Sequence, residues 1–505
     1  MLLNKFYFIF YFFIFSNLLF SQKDKLEKGK VMYNLYYKYE YIKEKSLRDR
    51  KFKHNDIERI ILNLKNYRQF KVSEIGKSFE NRTIYAIEVG KGEKKVLLWS
   101  QMHGDEPTAT AAIFDLFNYF LDPEMDYFKE TILTNLKMVF IPMLNPDGAE
   151  RFQRRNAQNI DINRDAIREQ TPEGRLLKNY AKEFKPLFGF NLHDQNPRYS
   201  VGQSNKRAAL SFLAPSFNYQ KDINEVRKNA IGVIVQMNRM LQPFISGHIA
   251  KYPDDYEPRA FGDYFQSQGI STILIESGGW NDDLEKQFIR KLNFLALIAA
   301  LECIAKGYYD ILPLEEYERI PFNSTSLFDI LIKNANVILN NYRYKIDIGI
   351  NIDIGINIDD TYKENKNFIY GYIEDLGDLS LLFGAVEYDF SNLFIEPLKF
   401  YEFEINDLEK WKSLDHESLL RQGYGFVLID KNLVSKIEGD GINIVVGEQS
   451  SFEIAKGSNA SFAIKDKSGN IIGCFLNGFF SDFRINNVKL KGSFFDKYKL
   501  NLNSK

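Results

Sequence analysis

Residues 96–121 read VLLWSQMHGDEPTATAAIFDLFNYFL. The opening VLLW, Val96 to Trp99, is an unbroken apolar run, as expected of a strand buried on both faces. Polar and small residues follow. Then Ile113, Leu116, Phe117, Phe120 and Leu121 recur at three- and four-residue spacing, which predicts a helix with one apolar side, and Pro107 suits its first turn. Working outward, Met138–Pro142, Leu187–Leu192 and Ile270–Ile275 are three more apolar runs of strand length, and a long helix is expected from about Leu284 to Ala305. Short apolar runs alternating with amphipathic helices from about Val72 to Ala305 predict an α/β domain.

The whole chain has 505 residues, 45% of them hydrophobic and 26% charged, enough to fill more than one core. Lys plus Arg number 66 against 67 Asp plus Glu, a net charge of -1, so nothing in the overall balance attracts nucleic acid. Two cysteines, Cys303 and Cys474, are too few and too far apart for a disulfide framework or a cysteine-built zinc site, so any metal must be held by His and carboxylates. The chain opens MLLNKFYFIFYFFIFSNLLF, with Lys5 as a positive n-region and Phe6–Phe15 as an apolar h-region ahead of Ser21-Gln22. This predicts a signal peptide over 1–21, too short and too interrupted for a spanning anchor, and hence a secreted or periplasmic protein without stable membrane insertion after cleavage.

A charged segment then runs directly into the α/β pattern with no separate pro-segment, giving an expected catalytic domain over 22–310. From 311 to 505 the sequence turns to Asn, Ile, Tyr and Phe-rich alternation broken by turn signals, which predicts a smaller β-rich accessory module. Within it IDIGIN occurs twice in succession, at Ile346–Asn351 and Ile352–Asn357, as an extension of a strand or loop.

Polar residues that follow predicted strands mark the chemistry, because open α/β sheets build their sites there. After Val96–Trp99 come His103 and Glu106, a His and a carboxylate three residues apart that can converge on one metal ion. After Leu187–Leu192 comes His193. Two His and one Glu form a catalytic zinc set that leaves a position open for water. After Ile270–Ile275 comes Glu276, suited to act as general base on that water. The other histidines, His54, His248 and His416, lie in charged or mixed surroundings and read as surface residues. No G-x-S-x-G elbow is present, and Lys71 replaces the glycine that a phosphate loop would need ahead of Gly76-Lys77-Ser78.

Between these residues lie Asn145-Pro146-Asp147-Gly148 and RRNAQNIDINRD, Arg154 to Asp165. With them the order becomes H-x-x-E, N-P-D-G, R-x-N, D-x-N-R, a lone His and a Glu, and in this order the sequence resembles the M14 family of zinc carboxypeptidases. GKSFENRTIYAIEVG at Gly76–Gly90 is also similar to a segment of that family. The resemblance covers about Val72 to Ala305. It implies a mixed β-sheet flanked by helices, one Zn2+ held by His103, Glu106 and His193, and a peptide as substrate. It further implies that Arg154 polarises the scissile carbonyl, that Asn163 and Arg164 clamp the terminal carboxylate, that Asp161 orients His103, and that Glu276 is the base. Tyr256 is the best match for the tyrosine that caps the substrate, with Tyr252 and Tyr264 as rivals. The specificity pocket should draw on Arg259–Asp263.

Departures from the family pattern accompany it. Asp165 stands where relatives have Asn, an extra negative charge expected beside the carboxylate pocket; Asp194-Gln195 follow His193 where many relatives have a small hydroxyl residue; Arg155 adjoins Arg154. The expectation is a zinc-dependent metallocarboxypeptidase. The alternatives are a zinc amidohydrolase acting on cell-wall peptides or N-acyl amino acids, and a non-catalytic binding protein on the same fold.

Overall fold

The computed structural model describes residues 27–339, 342–355, 368–437, 441–446, 453–485, 490–492 and 494–496. The expected leader at 1–21 lies outside the described residues. Two compact units divide the chain: Met1–Gly202 with Lys206–Ser324, and Gln203–Asn205 with Thr325–Lys505.

Unit 1 opens with helix α1, described over 27–42, and α2 (His54–Leu64), followed by the hairpin β1 (Phe70–Lys77) and β2 (Thr83–Val89). Then come β3 (Lys94–Ser100), α3 (Thr108–Leu121), α4 (Tyr127–Asn135), β4 (Leu136–Ile141), α5 (Pro146–Arg151), α6 (Pro172–Phe184) and β5 (Phe188–Asp194). β6 (Ser200–Val201), β7 (Leu210–Leu213), α7 (Glu225–Leu241), β8 (Ile249–Lys251), α8 (Phe261–Ser267), β9 (Ser271–Ser277), α9 (Gln287–Lys306) and α10 (Leu314–Glu318) complete it, with a short strand β10 (Asn323–Ser324) pairing β6. The main sheet has eight strands in the order β1-β2-β4-β3-β5-β9-β7-β8, parallel from β4 to β9, antiparallel across β1-β2-β4 and β9-β7, with β8 parallel to β7 at the edge. It is the expected mixed sheet flanked by helices.

The VLLW run is apolar on both faces because both faces are covered. Val96 and Leu98 enter a core shared with α3 and α9, whereas Leu97 and Trp99 enter a second core with Leu177 of α6 and Phe261 and Phe265 of α8. Two boundaries differ from the sequence reading. Helix α3 starts at Thr108, with Pro107 as its N-cap rather than inside the first turn. Strands β5 and β9 run on through His193 and Glu276, because each is the other's ladder partner as far as Asp194↔Ser277.

The charged N-terminal segment belongs to the same core. Met32, Leu35, Tyr39, Ile42, Leu47 and Phe52 are buried with α3 and α9, and the Arg290–Asp115 ion pair is enclosed beneath them. Tyr39 donates to Asp115 Oδ2 at 2.7 Å and the Glu44 amide to Oδ1 at 2.8 Å. At the other end Leu312, Tyr317 and Ile320 close the core.

Unit 2 is β-rich, as expected. Its larger sheet is centred on β11 (Leu327–Leu339) and β12 (Tyr342–Gly355), antiparallel to each other; a separate four-stranded parallel sheet includes Tyr424–Ile429 and Asn443–Val446. The first IDIGIN copy and the start of the second lie in β12, with Ile348 and Ile350 in the core. Among the described residues no helix is long and apolar enough to cross a membrane.

Candidate functional site

Strand β3 delivers the chain to the site, and Gln101, in the left-handed region at φ 50, turns it. Its amide Nε2 donates to the Gly104 carbonyl at 3.0 Å and fixes the loop that carries His103 and Glu106. The N-P-D-G stretch docks against this loop: a Cβ on Gly104 would lie 2.0 Å from the Gly148 carbonyl carbon, so only glycine fits. Asn145 caps α5 by accepting from the Gly148 amide at 2.9 Å, and its Nδ2 donates to the Met102 carbonyl at 3.1 Å. Asp147 takes Ser78 Oγ and Arg82 Nη1, each at 2.7 Å. This motif therefore builds the site without facing it.

His103, Glu106 and His193 are all buried, and their ligand atoms lie within 4.8 Å of one another. Both imidazoles turn Nδ1 toward Glu106, His103 at 2.8 Å from Oε1 and His193 at 2.7 Å from Oε2, and the two Nδ1 atoms are 3.1 Å apart. His103 Nε2 lies 3.0 Å from Asp161 Oδ1. A proton on Nε2 donated to Asp161 leaves the Nδ1 lone pair facing inward. Two ring nitrogens that converge on a carboxylate at these separations suit a zinc ion, whose ordinary ligands are these groups.

Charge governs the protonation of the cluster. Burial opposes the charged forms of His103 and Glu106, but their mutual attraction outweighs it, raising His103 to about 9 and holding Glu106 well below the usual carboxylate range. For His193 burial prevails and lowers its pKa.

Glu276 sits opposite His193 in the β5–β9 register. Its Oε2 has no hydrogen-bond partner among the described residues, and burial together with the charge of Glu106 raises its carboxyl well above the usual range. A buried, unsatisfied carboxylate oxygen is costly and marks a group kept for a task.

Arg154, rather than Arg155, reaches the cluster. Its Nε donates to Asp161 Oδ2 at 3.0 Å and its Nη1 lies 3.3 Å from Glu106 Oε1, while Arg155 donates to the Asn159 carbonyl. Asn163 is occupied: its Oδ1 accepts the Phe261 amide at 2.9 Å and its Nδ2 faces His193 Nε2 at 3.4 Å. Arg164 is half exposed and pairs with Glu257 at 3.5 Å, as Arg259 does at 2.5 Å.

Asp165 corrects one expectation. It is buried and accepts from the Gln170 amide and from the Thr171 amide and hydroxyl at 2.7–2.8 Å, so its charge is spent inside the turn before α6. His54 corrects another: it is buried, with Nε2 2.8 Å from the Thr83 carbonyl, because α2 packs on the hairpin. Among the tyrosines, Tyr256 stacks edge-on against Tyr219 with ring centroids 4.9 Å apart. Tyr252 is the one whose hydroxyl feels Glu276, Tyr199 and Glu106; burial and these charges raise its pKa.

The sequence profile of the zinc carboxypeptidases matches residues 57–224. This stretch is similar to that family. Glu276 lies beyond it, and its place beside His193 rests on strand register. Carboxypeptidase SOL1 of Arabidopsis thaliana is 33% identical over 98 residues, 18% of this chain and 20% of that protein. Human carboxypeptidase D is 27% identical over 147 residues, 24% of this chain and 10% of its own length. The chain thus spans a fifth or less of these relatives. A solved metallo-carboxypeptidase from Burkholderia cenocepacia is similar at 18% identity and a TM-score of 0.41, covering 51% of this chain and 70% of that one.

Proposed function

We propose that unit 1 is a zinc-dependent carboxypeptidase that hydrolyses the last peptide bond of a peptide. The observation that carries this reading is the buried convergence of His103, Glu106 and His193 beside a carboxylate, Glu276, with an oxygen that has no hydrogen-bond partner among the described residues. His103 and His193 through Nδ1, and Glu106 through its carboxylate, would hold the ion. Zinc bound there supplies a Lewis acid for the scissile carbonyl and lowers the pKa of water.

Glu276 takes a proton from the attacking water and delivers it to the leaving amine, a task favoured by its raised pKa. Arg154 brings fixed positive charge to the carbonyl oxygen as that oxygen becomes negative. Asp161 holds His103 in the tautomer the site needs. Arg164, half exposed and paired with Glu257 and a backbone carbonyl, is available to the terminal carboxylate of the substrate. Asn163 keeps its Oδ1 on the Phe261 amide, and its Nδ2, at the long distance of 3.4 Å from His193 Nε2, is the donor it offers to that carboxylate. Tyr252 faces the charges of the site more directly than Tyr256 and is the better candidate to cap the substrate. Lys5 followed by the apolar run Phe6–Phe15 supports a leader over 1–21 and action outside the cytoplasm, with unit 2 as an accessory module.

The test is mass spectrometry of a peptide library incubated with the full chain, with and without a chelator and against Glu276→Gln. Chelator-sensitive loss of single C-terminal residues, absent in Glu276→Gln, is expected. Release from N-acyl amino acids or cell-wall peptides alone would replace the peptide substrate by another amide, and no cleavage despite stoichiometric zinc would favour a binding protein.

A further inference from the structure

We infer that Lys286 and Asp194 form a buried ion pair that positions two groups of the proposed site, the Glu106 carboxylate and Glu276, without touching substrate. The inference rests on the carboxypeptidase reading for its catalytic consequence, but not for its effect on zinc.

The Lys286 side chain is 3% exposed and that of Asp194 4%, with Nζ 3.0 Å from Oδ2. The same ammonium donates to the Ser277 carbonyl at 2.9 Å and the Gln195 carbonyl at 3.3 Å. Those carbonyls belong to the residue after Glu276 and the second residue after His193, so one cation ties together the ends of β9 and β5. Asp194 passes the constraint on. Its backbone amide donates to Glu106 Oε2 at 3.2 Å, and its Oδ2 also accepts from Thr108 Oγ1 at 2.6 Å. Lys286 adopts the left-handed conformation, φ 51 and ψ 32, at the start of α9. A non-glycine residue held there, at a fully enclosed position, is retained against both strain and desolvation. Partners that orient metal ligands are commonly worth about 10–100-fold in affinity or activity.

Lys286→Met in the full chain should therefore weaken zinc by about 10–100-fold, measured by competition with a chromophoric chelator. At saturating zinc it should lower kcat at least about tenfold while KM stays within about threefold. The double variant Asp194→Asn with Lys286→Met removes both charges of the pair and leaves the partly exposed Arg50, 3.4 Å from Asp194 in the wild type, without that partner, so it should melt above Lys286→Met yet keep both deficits. Wild-type zinc affinity and kcat in Lys286→Met, or their recovery in the double variant, would overturn the inference. If Lys286→Met does not fold, Thr108→Val takes its place: several-fold weaker zinc supports the inference and unchanged affinity overturns it. A wild-type chain that binds zinc but cleaves no peptide sinks the peptidase reading alone, and zinc affinity then decides the role of Lys286.

Discussion

At Glu276 burial and charge act in the same direction. The side chain is enclosed, Glu106 repels its negative form, and one oxygen has no hydrogen-bond partner among the described residues. Gln at this position keeps size and burial but cannot take a proton. Glu276→Gln should bind one zinc per chain by elemental analysis and lose about 10²–10⁴-fold in kcat; retained turnover would remove Glu276 from the reaction. His103, Glu106, His193 and Glu276 were legible because each follows an apolar run, and sheet geometry places such positions at one end. What was not legible depended on distant partners. The charge of Asp165 is absorbed by Thr171, and Lys286 meets Asp194 across 92 positions. Neither pairing leaves a periodic trace in sequence.

At the scale of elements, close backbone approaches and helix starts set the geometry. Alanine at Gly104 must push against the backbone of Gly148. Overpacking of that kind costs about 1–3 kcal/mol, so Gly104→Ala should lower the melting temperature and weaken zinc together; a fall in neither would show that the loop has room to spare. Helix α8 carries a titrating group. Asp263 in its first turn is pushed up to about 7, mainly by burial and further by Asp254 and Glu257. Its folded pKa exceeds its unfolded one, so the folded chain holds the extra proton between about pH 4 and 7, and stability falls as pH rises through that window. Asp263→Asn removes this slope: its advantage over wild type, read by urea unfolding at several pH values, should be absent near pH 4 and largest above pH 7. The strands were legible to within a few residues because apolar runs are long where both faces are covered. The first IDIGIN copy and the start of the second lie in a strand for a related reason. The period of six is even, so Ile352, at the start of the second copy, packs against the same core as Ile348 and Ile350.

At the scale of the molecule, the segment ahead of the family match is part of the core. Arg290 and Asp115, both enclosed, gather α3, α9, Tyr39 and the Glu44 amide into one network. Removing one partner of such a pair strands a buried charge at about 3–5 kcal/mol. Arg290→Met should lose that much stability in urea, while a loss below about 1 kcal/mol would mean that the N-terminal segment is an ornament to the core. Composition announced an α/β unit followed by a β-rich one, yet gave no sign that a charged, tyrosine-rich opening would be buried. Its apolar residues face the core only because α3 and α9 offer them a surface.

The pairing of His193 with Glu276 across β5 and β9 has a bearing on how this chain can vary. Hydrogen bonds between neighbouring strands fix their spacing at about 4.8 Å, so the distance from imidazole to carboxylate is a dimension of the sheet, indifferent to the length of the loops that join its strands. Loops around the site are thus free to lengthen and diverge as substrates change. A slip of one residue in β9 has no such licence: it would set Ser277 opposite His193, turn Glu276 to the far face, and silence the site in a protein that still folds.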